Sequence, residues 1–332
     1  MNISIIGAGA WGTTVANLIA EKGNLVNIWD YSEEVVESIK NKHTNSRYLP
    51  DIELSKNLIP AHDLKGAVSN KELLIMAVPS KYLDDVLENM NMYISSNTHI
   101  LSLVKGMILT EPQELITDHM INVIKKVPKE NYFTLSGPNF AIEVARKLPA
   151  ATVIGGIDQK YLKTLQEFMS TDLFRVYITT DYIGVQLGGI LKNVIAIAGG
   201  ICEGLYLGSN TKSSLIVRGI SEMKKIFTLF GGKIDTLYGL SGLGDLIGSC
   251  SSDLSRNRWA GIQIAKGATI QSISKESGKT IEGIDSIPAI KSIGEKNNLE
   301  LPICNEVYEI VYNGKDYKSS IRDLMRRTLK VE

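Results

Sequence analysis

An ammonium group stands inside the apolar stretch GGILKNVIAIAGG at residues 188–200, where Lys192 is followed by Asn193. On a helix, the residues three and four positions from Lys192 share its face, and two of them are the glycines at 188 and 189. The missing side chains leave space in front of the amine for a small molecule. Burial lowers the pKa of a lysine and brings proton transfer towards neutral pH. The pattern favours a general acid/base over a lysine that packs its stem on apolar surface and extends its head to water.

A second polar group follows in GLSGLGDLIGSCSSDLSRNRWAG, residues 239–261. Asp245 lies among glycines and has two candidate partners, the Lys192 amine and a substrate hydroxyl. Arg256 and Asn257 then offer a guanidinium and an amide, a common combination for holding a phosphate. The alternative is a flexible connector followed by the charged start of a helix, and composition alone leaves both interpretations open.

The N-terminal stretch GAGAWG places Gly7, Gly9 and Gly12 in the G-x-G-x-x-G spacing, after an apolar strand and at the start of a helix. Such glycines allow a tight turn and a close approach of the backbone to a pyrophosphate, and the helix N-terminus offers free N–H groups. A second strand ends at Asp30, whose carboxylate would accept ribose hydroxyls and repel a 2′-phosphate. This predicts NAD as cofactor. The alternative is a packing turn, with Asp30 as a loop cap.

Two further strand ends carry polar groups where ligands gather in open α/β sheets. Lys105 follows the predicted strand at 99–106, and Gly137 with Asn139 follows the one at 132–138. A solvated loop lysine and an ordinary turn are the alternatives.

The elements that would position these groups change character along the chain. Up to residue 182, apolar runs alternate with helical patterns, which predicts a parallel sheet covered on both faces. After that point we find only helical patterns broken by Gly and Pro. We therefore predict an α/β fold: a Rossmann-type doubly wound parallel sheet domain over 1–182, followed by an all-α C-terminal domain over 183–332.

Composition excludes several other classes. The 332 residues contain 36 basic and 36 acidic side chains, so net charge gives no reason to expect a nucleic-acid partner. The N-terminus lacks a signal-peptide pattern, and Gln186, Lys192 and Asn193 interrupt the one long apolar stretch, which argues against stable membrane insertion. The three cysteines form no pair motif, as expected of reduced thiols in a cytoplasmic protein, and the four histidines have no metal-ligand spacing. We expect no metal.

With these residues in view, the chain resembles the soluble bacterial NAD(P)-dependent glycerol-3-phosphate dehydrogenases. The matching stretches run in family order from residue 7 to residue 303: GAGAWGTTVA, RYLP, LVKG, SGPNFA, LPAATV, LGGILKNVIAIAGGICEG, GLSGLGDL, SRNR, IEG and LPI. GGILKN together with GLGDL and SRNR is far more specific than the glycine-rich turn.

This resemblance implies reversible reduction of dihydroxyacetone phosphate to sn-glycerol 3-phosphate, with Lys192 as general acid/base, in a cytoplasmic homodimer that supplies the glycerophospholipid backbone. It implies substrate contacts from Lys105, Gly137, Asn139, Lys192, Asp245, Ser255, Arg256 and Asn257. It implies cofactor contacts from Trp11, Tyr31, Lys105, Ala141, Arg256 and Glu282, beside the residues Gly7, Gly9, Gly12 and Asp30 of the glycine motif.

The sequence departs from the family pattern at a few positions. Ala10 and Asn139 stand where hydroxyl side chains are common, and Gln186 where Glu usually precedes the double glycine. Tyr31 takes a place often held by a basic or histidine side chain that meets a 2′-phosphate, so NAD is expected and NADP is the alternative.

Two rival functions stay open from the sequence. One is a lysine-dependent dehydrogenase of the 3-hydroxyacid type, which acts on a carboxylate. The other is a redox-sensing dinucleotide-binding module without catalysis, which would keep the glycine turn but would not need Lys192, Asp245 and Arg256.

Overall fold

Strand β1 (Ile3–Ile6) sends its side chains alternately to the two faces of a parallel sheet. Ile5 packs into one hydrophobic cluster and Ile6 into another, and the same division separates Ile75 from Met76 on a neighbouring strand. A strand buried on both faces needs a continuous apolar run, which explains the ISII sequence. The structure, a computed structural model, describes residues 1–108, 114–277, 281–329 and 331.

The strands after β1 are β2 (Val26–Trp29), β3 (Thr44–Asn45), β4 (Leu49–Glu53), β5 (Leu58–Ala61), β6 (Leu73–Met76), β7 (His99–Ser102), β8 (Met107–Ile108), β9 (Glu114–Leu115), β10 (Tyr132–Ser136), β11 (Ala150–Gly156) and β12 (Phe174–Thr179). Eight strands, β1 among them, form this sheet in the order β12-β11-β10-β7-β6-β1-β2-β5, and the pair β10–β11 alone is antiparallel. The other four form two small antiparallel ribbons, β3–β4 and β8–β9.

Helices cover both faces of the sheet, as the two hydrophobic clusters require. One cluster takes apolar residues of α1, α2 and α7, and the other takes those of α3, α4 and α5. The helices are α1 (Ala10–Glu21), α2 (Glu33–Lys42), α3 (Leu64–Val68), α4 (Leu83–Asn91), α5 (Ile116–Val123), α6 (Ala141–Ala145) and α7 (Gln159–Met169). The predicted doubly wound domain is confirmed.

The strands predicted before the glycine motif, before Asp30, at 99–106 and at 132–138 are present as β1, β2, β7 and β10. The sequence analysis missed β5, the strand at one edge of the sheet. Its sequence LIPA contains Pro60, a residue that is confined to edges and strand starts and that weakens a strand signal. The two ribbons escaped notice because most of their strands have only two residues.

The described residues after Asp181 form helices and no strand, so the predicted all-α C-terminal part is confirmed. These helices are α8 (Tyr182–Gly204), α9 (Gly208–Phe230), α10 (Ile234–Leu237), α11 (Asp245–Ser251), α12 (Arg256–Ala265), α13 (Ile270–Ser277), α14 (Glu282–Lys296), α15 (Pro302–Asn313) and α16 (Tyr317–Met325). A π-helical turn, Leu240–Gly244, precedes α11. The described chain separates into two compact units, residues 1–108 with 114–186, and residues from 187 onward.

Helix α8 is long and apolar enough to cross a membrane, and no other described helix is. Its apolar window is 94% buried inside the protein, as a core helix is. Glycines let neighbouring helices approach it closely: a Cβ at Gly200 would collide with the carbonyl of Arg258, and one at Gly261 with the carbonyl of Ile197. These glycines therefore serve packing between α8 and α12.

A buried carboxylate holds the start of α15. Glu222 on α9 is 3% exposed and accepts hydrogen bonds from the N–H groups of Ile303 (2.6 Å) and Cys304 (3.0 Å). These N–H groups lack partners within their own helix, so a side chain must satisfy them. Desolvation raises the pKa of Glu222 and outweighs the opposing effect of the two N–H donors.

We expect Glu222→Ala to lower the free energy of unfolding by about 2–4 kcal/mol, because two buried N–H groups lose their acceptor. The folded pKa lies above the unfolded value, so the contribution of this group is fully present below the unfolded pKa and decreases as pH rises through the folded pKa. Urea unfolding at pH 5 and pH 8 tests both points, and the variant should differ less from wild type at pH 8. Glu295→Ala, at a 65% exposed side chain, is the control and should change stability by less than about 0.5 kcal/mol. Equal effects of the two variants would contradict the assignment.

Candidate active site

The three glycines of the turn between β1 and α1 have different structural roles. Gly7 has φ of 111°, and a Cβ there would lie 2.8 Å from the Ala77 carbonyl carbon. A Cβ at Gly12 would collide with the carbonyl of Gly7. Gly9 is different, because a Cβ at that position would meet no atom of the described residues within 4 Å. Gly7 and Gly12 are thus needed for the turn itself, whereas Gly9 leaves open space.

This turn fits the pyrophosphate of a nicotinamide dinucleotide. Gly9 is the N-cap of α1, no side chain of the described residues caps that end, and the first turn has no acidic side chain. Uncapped N–H groups at a helix N-terminus attract an anion, and Gly9 leaves room for it to approach the backbone.

Asp30 lies beneath the same turn. It is 6% exposed; its Oδ2 accepts a hydrogen bond from the N–H of Ala8 (2.8 Å) and its Oδ1 accepts one from the N–H of Ser32 (3.0 Å). The capping alternative of the sequence analysis is therefore observed directly. Contact of Asp30 with a ribose stays a prediction.

Three more predicted cofactor residues of this unit are Trp11, which lies in α1, Ala141, which contacts α1, and Tyr31. Trp11 packs its ring 6.4 Å from that of Phe174, and the carbonyl of Ala141 accepts a hydrogen bond from Thr14 Oγ1 (3.2 Å). Tyr31 follows β2 and is 66% exposed.

Lys105 and Gly137 come together at the carboxyl ends of neighbouring strands. The Lys105 Nζ donates a hydrogen bond to the Gly137 carbonyl (3.1 Å), and β7 pairs with β10. The Asn139 amide donates to the Ala151 carbonyl (3.0 Å), while its buried Oδ1 has no protein partner among the described residues. A buried amide oxygen of this kind is an unsatisfied acceptor among the described residues.

In the second unit, the buried amine predicted from the sequence is hydrogen-bonded to a carboxylate and to a hydroxyl. The Lys192 Nζ donates to Asp245 Oδ1 (3.0 Å) and to Ser249 Oγ (2.7 Å), and Ser249 Oγ donates to Asp245 Oδ1 (3.2 Å). The side chains of Lys192 and Asp245 are only 9% and 4% exposed. The carboxylate balances the charge of the ammonium, and the closed triangle fixes Nζ in one place.

Ser249 was missed by the sequence analysis. Its signal is helical spacing, because Ser249 lies four residues after Asp245 on α11 and so shares its face. The predicted pairing of Asp245 with Lys192 is confirmed by the ion pair.

Gly188 has a different role from the one expected. A Cβ there would collide with the carbonyl of Ser241 and come within 2.9 Å of the N of Gly242. Backbone of the π-helical turn therefore fills the space that we had assigned to a small molecule. The glycine brings this turn, and with it Asp245 at the start of α11, close to α8.

Asn257 occupies the centre of an amide chain. Its Nδ2 donates to Asn193 Oδ1 (2.7 Å), and its Oδ1 accepts from the N–H of Gly283 (3.1 Å), the residue after Glu282 in α14. The buried Asn193 Nδ2 has no protein partner among the described residues. These hydrogen bonds link the three helices α8, α12 and α14.

The two arginines of SRNR differ in their surroundings. Arg258 is buried and ion-paired with Glu203 and with Asp253 (2.8 Å), whereas Arg256 is exposed. Ser255 is the N-cap of α12 and accepts from the N–H of Arg258 (3.2 Å). Arg258 is thus held by two carboxylates, whereas the side chain of Arg256 is accessible from solvent.

A doubly wound sheet with a glycine turn at its first strand, followed by a helical unit with a buried lysine, defines a two-domain dehydrogenase dependent on a nicotinamide dinucleotide. The family models for the N-terminus and the C-terminus of NAD-dependent glycerol-3-phosphate dehydrogenase match residues 2–162 and 181–322. The chain belongs to this family of oxidoreductases, and the resemblance seen in the sequence is confirmed.

Individual relatives of this family are similar to this chain in sequence over nearly its whole length. The protein named glycerol-3-phosphate dehydrogenase [NAD(P)+] from Desulfotalea psychrophila is 40% identical, with 100% of this chain and 98% of the relative covered. The protein of the same name from Citrifermentans bemidjiense is 37% identical over 99% and 98%. The crystal structure of glycerol-3-phosphate dehydrogenase from Coxiella burnetii superposes with a TM-score of 0.93 at 34% identity, covering 98% of each chain.

Proposed function

We propose that this chain catalyses the reversible transfer of a hydride between NAD(P)H and dihydroxyacetone phosphate, which gives sn-glycerol 3-phosphate. The observation that carries this proposal is the buried triangle of Lys192, Asp245 and Ser249 in a chain of this family. An amine held at a fixed position is what proton transfer to a reacting oxygen requires.

Lys192 acts on the oxygen at C2 of the substrate. A bound nicotinamide would supply or accept the hydride, and negative charge would grow on this oxygen during reduction. The Lys192 ammonium donates a proton to it, and in the reverse direction the neutral amine takes the hydroxyl proton. Asp245 and Ser249 orient Nζ, and the apolar surroundings of α8 exclude water.

The phosphate of the substrate is held on α12. Arg256 supplies the charge and the fork of donors, and Asn257 and the Ser255 segment complete the cradle. Lys105, Gly137 and Asn139 in the first unit are proposed as further substrate contacts. Holding the phosphate at a fixed position restricts where C2 lies for hydride transfer.

We propose Gly7, Gly9, Trp11, Gly12, Asp30, Tyr31, Lys105, Ala141, Arg256 and Glu282 as the cofactor-binding residues. Asp30 favours NAD, with NADP as a second cofactor. Residues 1–182 form the dinucleotide-binding domain, and residues 183–332 form the helical domain that carries the catalytic lysine and most of the substrate contacts. The enzyme works in the cytoplasm as a homodimer, supplies glycerophospholipid synthesis and needs no metal.

Gly283→Ala should raise KM for dihydroxyacetone phosphate about 5–20-fold, with a smaller effect on kcat. A Cβ at Gly283 would collide with Asn257 Oδ1, so the amide must turn away and lose both of its hydrogen bonds. Gly294→Ala in the same helix is the control, because the nearest atom to its Cβ would be the end of the Leu301 side chain, at 2.9 Å, and no side chain of the amide chain is among its nearest atoms. If the two variants shift KM equally, the amide chain does not position substrate.

The test of the function is NADH oxidation by the purified protein with dihydroxyacetone phosphate, run beside NADPH. Turnover with NADH supports the proposal, and much less turnover with NADPH also supports the role given to Asp30. Turnover with 3-hydroxyacids or their oxo forms instead favours the hydroxyacid dehydrogenase. NADH binding without turnover on any of these substrates favours the redox-sensing module.

A further inference from the structure

The segment that leads into β4 is anchored to the dinucleotide turn. Asn45 is 1% exposed, and its Nδ2 donates to the carbonyl of Ala8 (2.8 Å) and to Thr13 Oγ1 (2.9 Å). The N–H of Tyr48 then donates to the carbonyl of Asn45 (3.1 Å), which closes a tight turn. Residues 45–48 are therefore held at a fixed place beside the turn between β1 and α1.

Arg47 projects from this turn towards the start of α2, the helix that follows β2. Its guanidinium lies 5.4 Å from the centre of the Tyr48 ring, and its Nη1 is 3.8 Å from Oε2 of Glu34, near the start of α2. Burial raises the pKa of Tyr48, and the charges of Arg47, Asp30 and Tyr31 also act on it. Arg47 thus belongs to the surface that surrounds the carboxyl end of β2, where the adenosine ribose lies in this class of fold.

The present partner of Arg47 is weak. The side chains of Arg47 and Glu34 are 48% and 80% exposed, and exposed pairs of this kind contribute little and are screened by salt. A phosphate dianion offers a guanidinium two strong acceptors in a matching geometry. A phosphate at the ribose would therefore displace Glu34.

Asp30 opposes such a phosphate less than its charge suggests. Both of its oxygens accept backbone N–H groups, from Ala8 and Ser32, and the side chain is buried. The side chain of Arg47, by contrast, is 48% exposed, so its charge is accessible to a ligand.

We propose that Arg47 is a specificity-determining residue that accepts the 2′-phosphate of NADP(H), so that the enzyme uses this cofactor as well as NAD(H). The inference rests on the proposed function for its kinetic test. Arg47 is not among the cofactor-binding residues predicted from the sequence, and the inference pairs it with the 2′-phosphate of NADP(H).

The test compares Arg47→Ala with wild type in kcat/KM for NADPH and for NADH. A charged hydrogen bond of about 1.5–3 kcal/mol corresponds to a loss of roughly 10–150-fold, which should fall on NADPH alone and mainly in KM. NADH should change by less than about twofold. Arg47→Lys should restore part of the NADPH activity, since it keeps the charge but loses the fork. Lys40→Ala, at a 64% exposed side chain of α2 that pairs with Glu37 at 3.9 Å, is the control and should change neither cofactor.

Fluorescence titration with NADPH and NADH gives the same comparison without turnover. If dihydroxyacetone phosphate is not reduced, selective weakening of NADPH binding in Arg47→Ala still supports the inference while the proposed function fails. Equal losses for the two cofactors, no loss for either, or a wild type that does not bind NADPH would overturn it.

Discussion

Replacing Lys192 by methionine is expected to lower kcat for the reduction of dihydroxyacetone phosphate by about 10²–10⁴-fold, the usual contribution of a positioned acid/base group. Methionine keeps most of the volume of the lysine stem and removes the proton. The residual activity should also lose the pH dependence that the amine imposes in the oxidation direction. Steady-state kinetics across pH, with cofactor binding measured by fluorescence, gives both quantities.

Lys192→Met leaves Asp245 buried without its cation, which is destabilising. The double variant Lys192→Met with Asp245→Asn removes this charge, so that its loss of activity is separated from a loss of folding. Lys212→Met is the matched control, because Lys212 also pairs with a carboxylate, Glu203, at 2.9 Å. Near-normal turnover in a folded Lys192→Met protein would refute the acid/base assignment.

Gly9→Ala should weaken NADH binding about 10–100-fold while the protein stays folded. A Cβ at Gly9 meets no described protein atom within 4 Å, and φ of −65° suits any residue. The added methyl would occupy only the space proposed for the pyrophosphate, and overpacking by one methyl group costs about 1–3 kcal/mol. Titration with NADH and a thermal melt of the same sample measure the two effects.

Gly12→Ala is the comparison for this second prediction. Its Cβ would collide with the carbonyl of Gly7, so both the melting temperature and the affinity should fall. A Gly9→Ala protein that binds NADH normally would show that the dinucleotide does not cross this turn.

The strands could be predicted from the sequence where burial on both faces of the sheet requires a continuous apolar run. A strand such as Ile3–Ile6 is covered on both faces and reads as a continuous apolar run. The edge strand β5 has one neighbour and contains Pro60, so it lacks that pattern.

The candidate site was predictable where a single side chain, such as a buried lysine, carries the chemistry. It was much less predictable where the packing of the backbone shapes the site. A buried lysine in an apolar stretch is conspicuous, and its pairing with Asp245 was anticipated. That Gly188 admits the backbone at Ser241 instead of a ligand depends on a contact 53 residues away in the chain, and no local pattern reports such a contact. The separation of Arg258 from Arg256 likewise depends on Glu203, which comes from another helix.

Ala8 shows how the dinucleotide turn is ordered. Its N–H donates to Asp30 and its carbonyl accepts from Asn45, so two side chains from different parts of the chain fix the two successive peptide units that flank Ala8. A loop ordered in advance loses little conformational entropy when a ligand arrives. The arrangement also restricts how cofactor preference is able to change, because a substitution at residue 30 would disrupt the turn, whereas the exposed residues 31 and 47 can vary without that penalty. We therefore expect substitutions at residues 31 and 47 to shift the preference between NAD and NADP while Asp30 keeps its structural role.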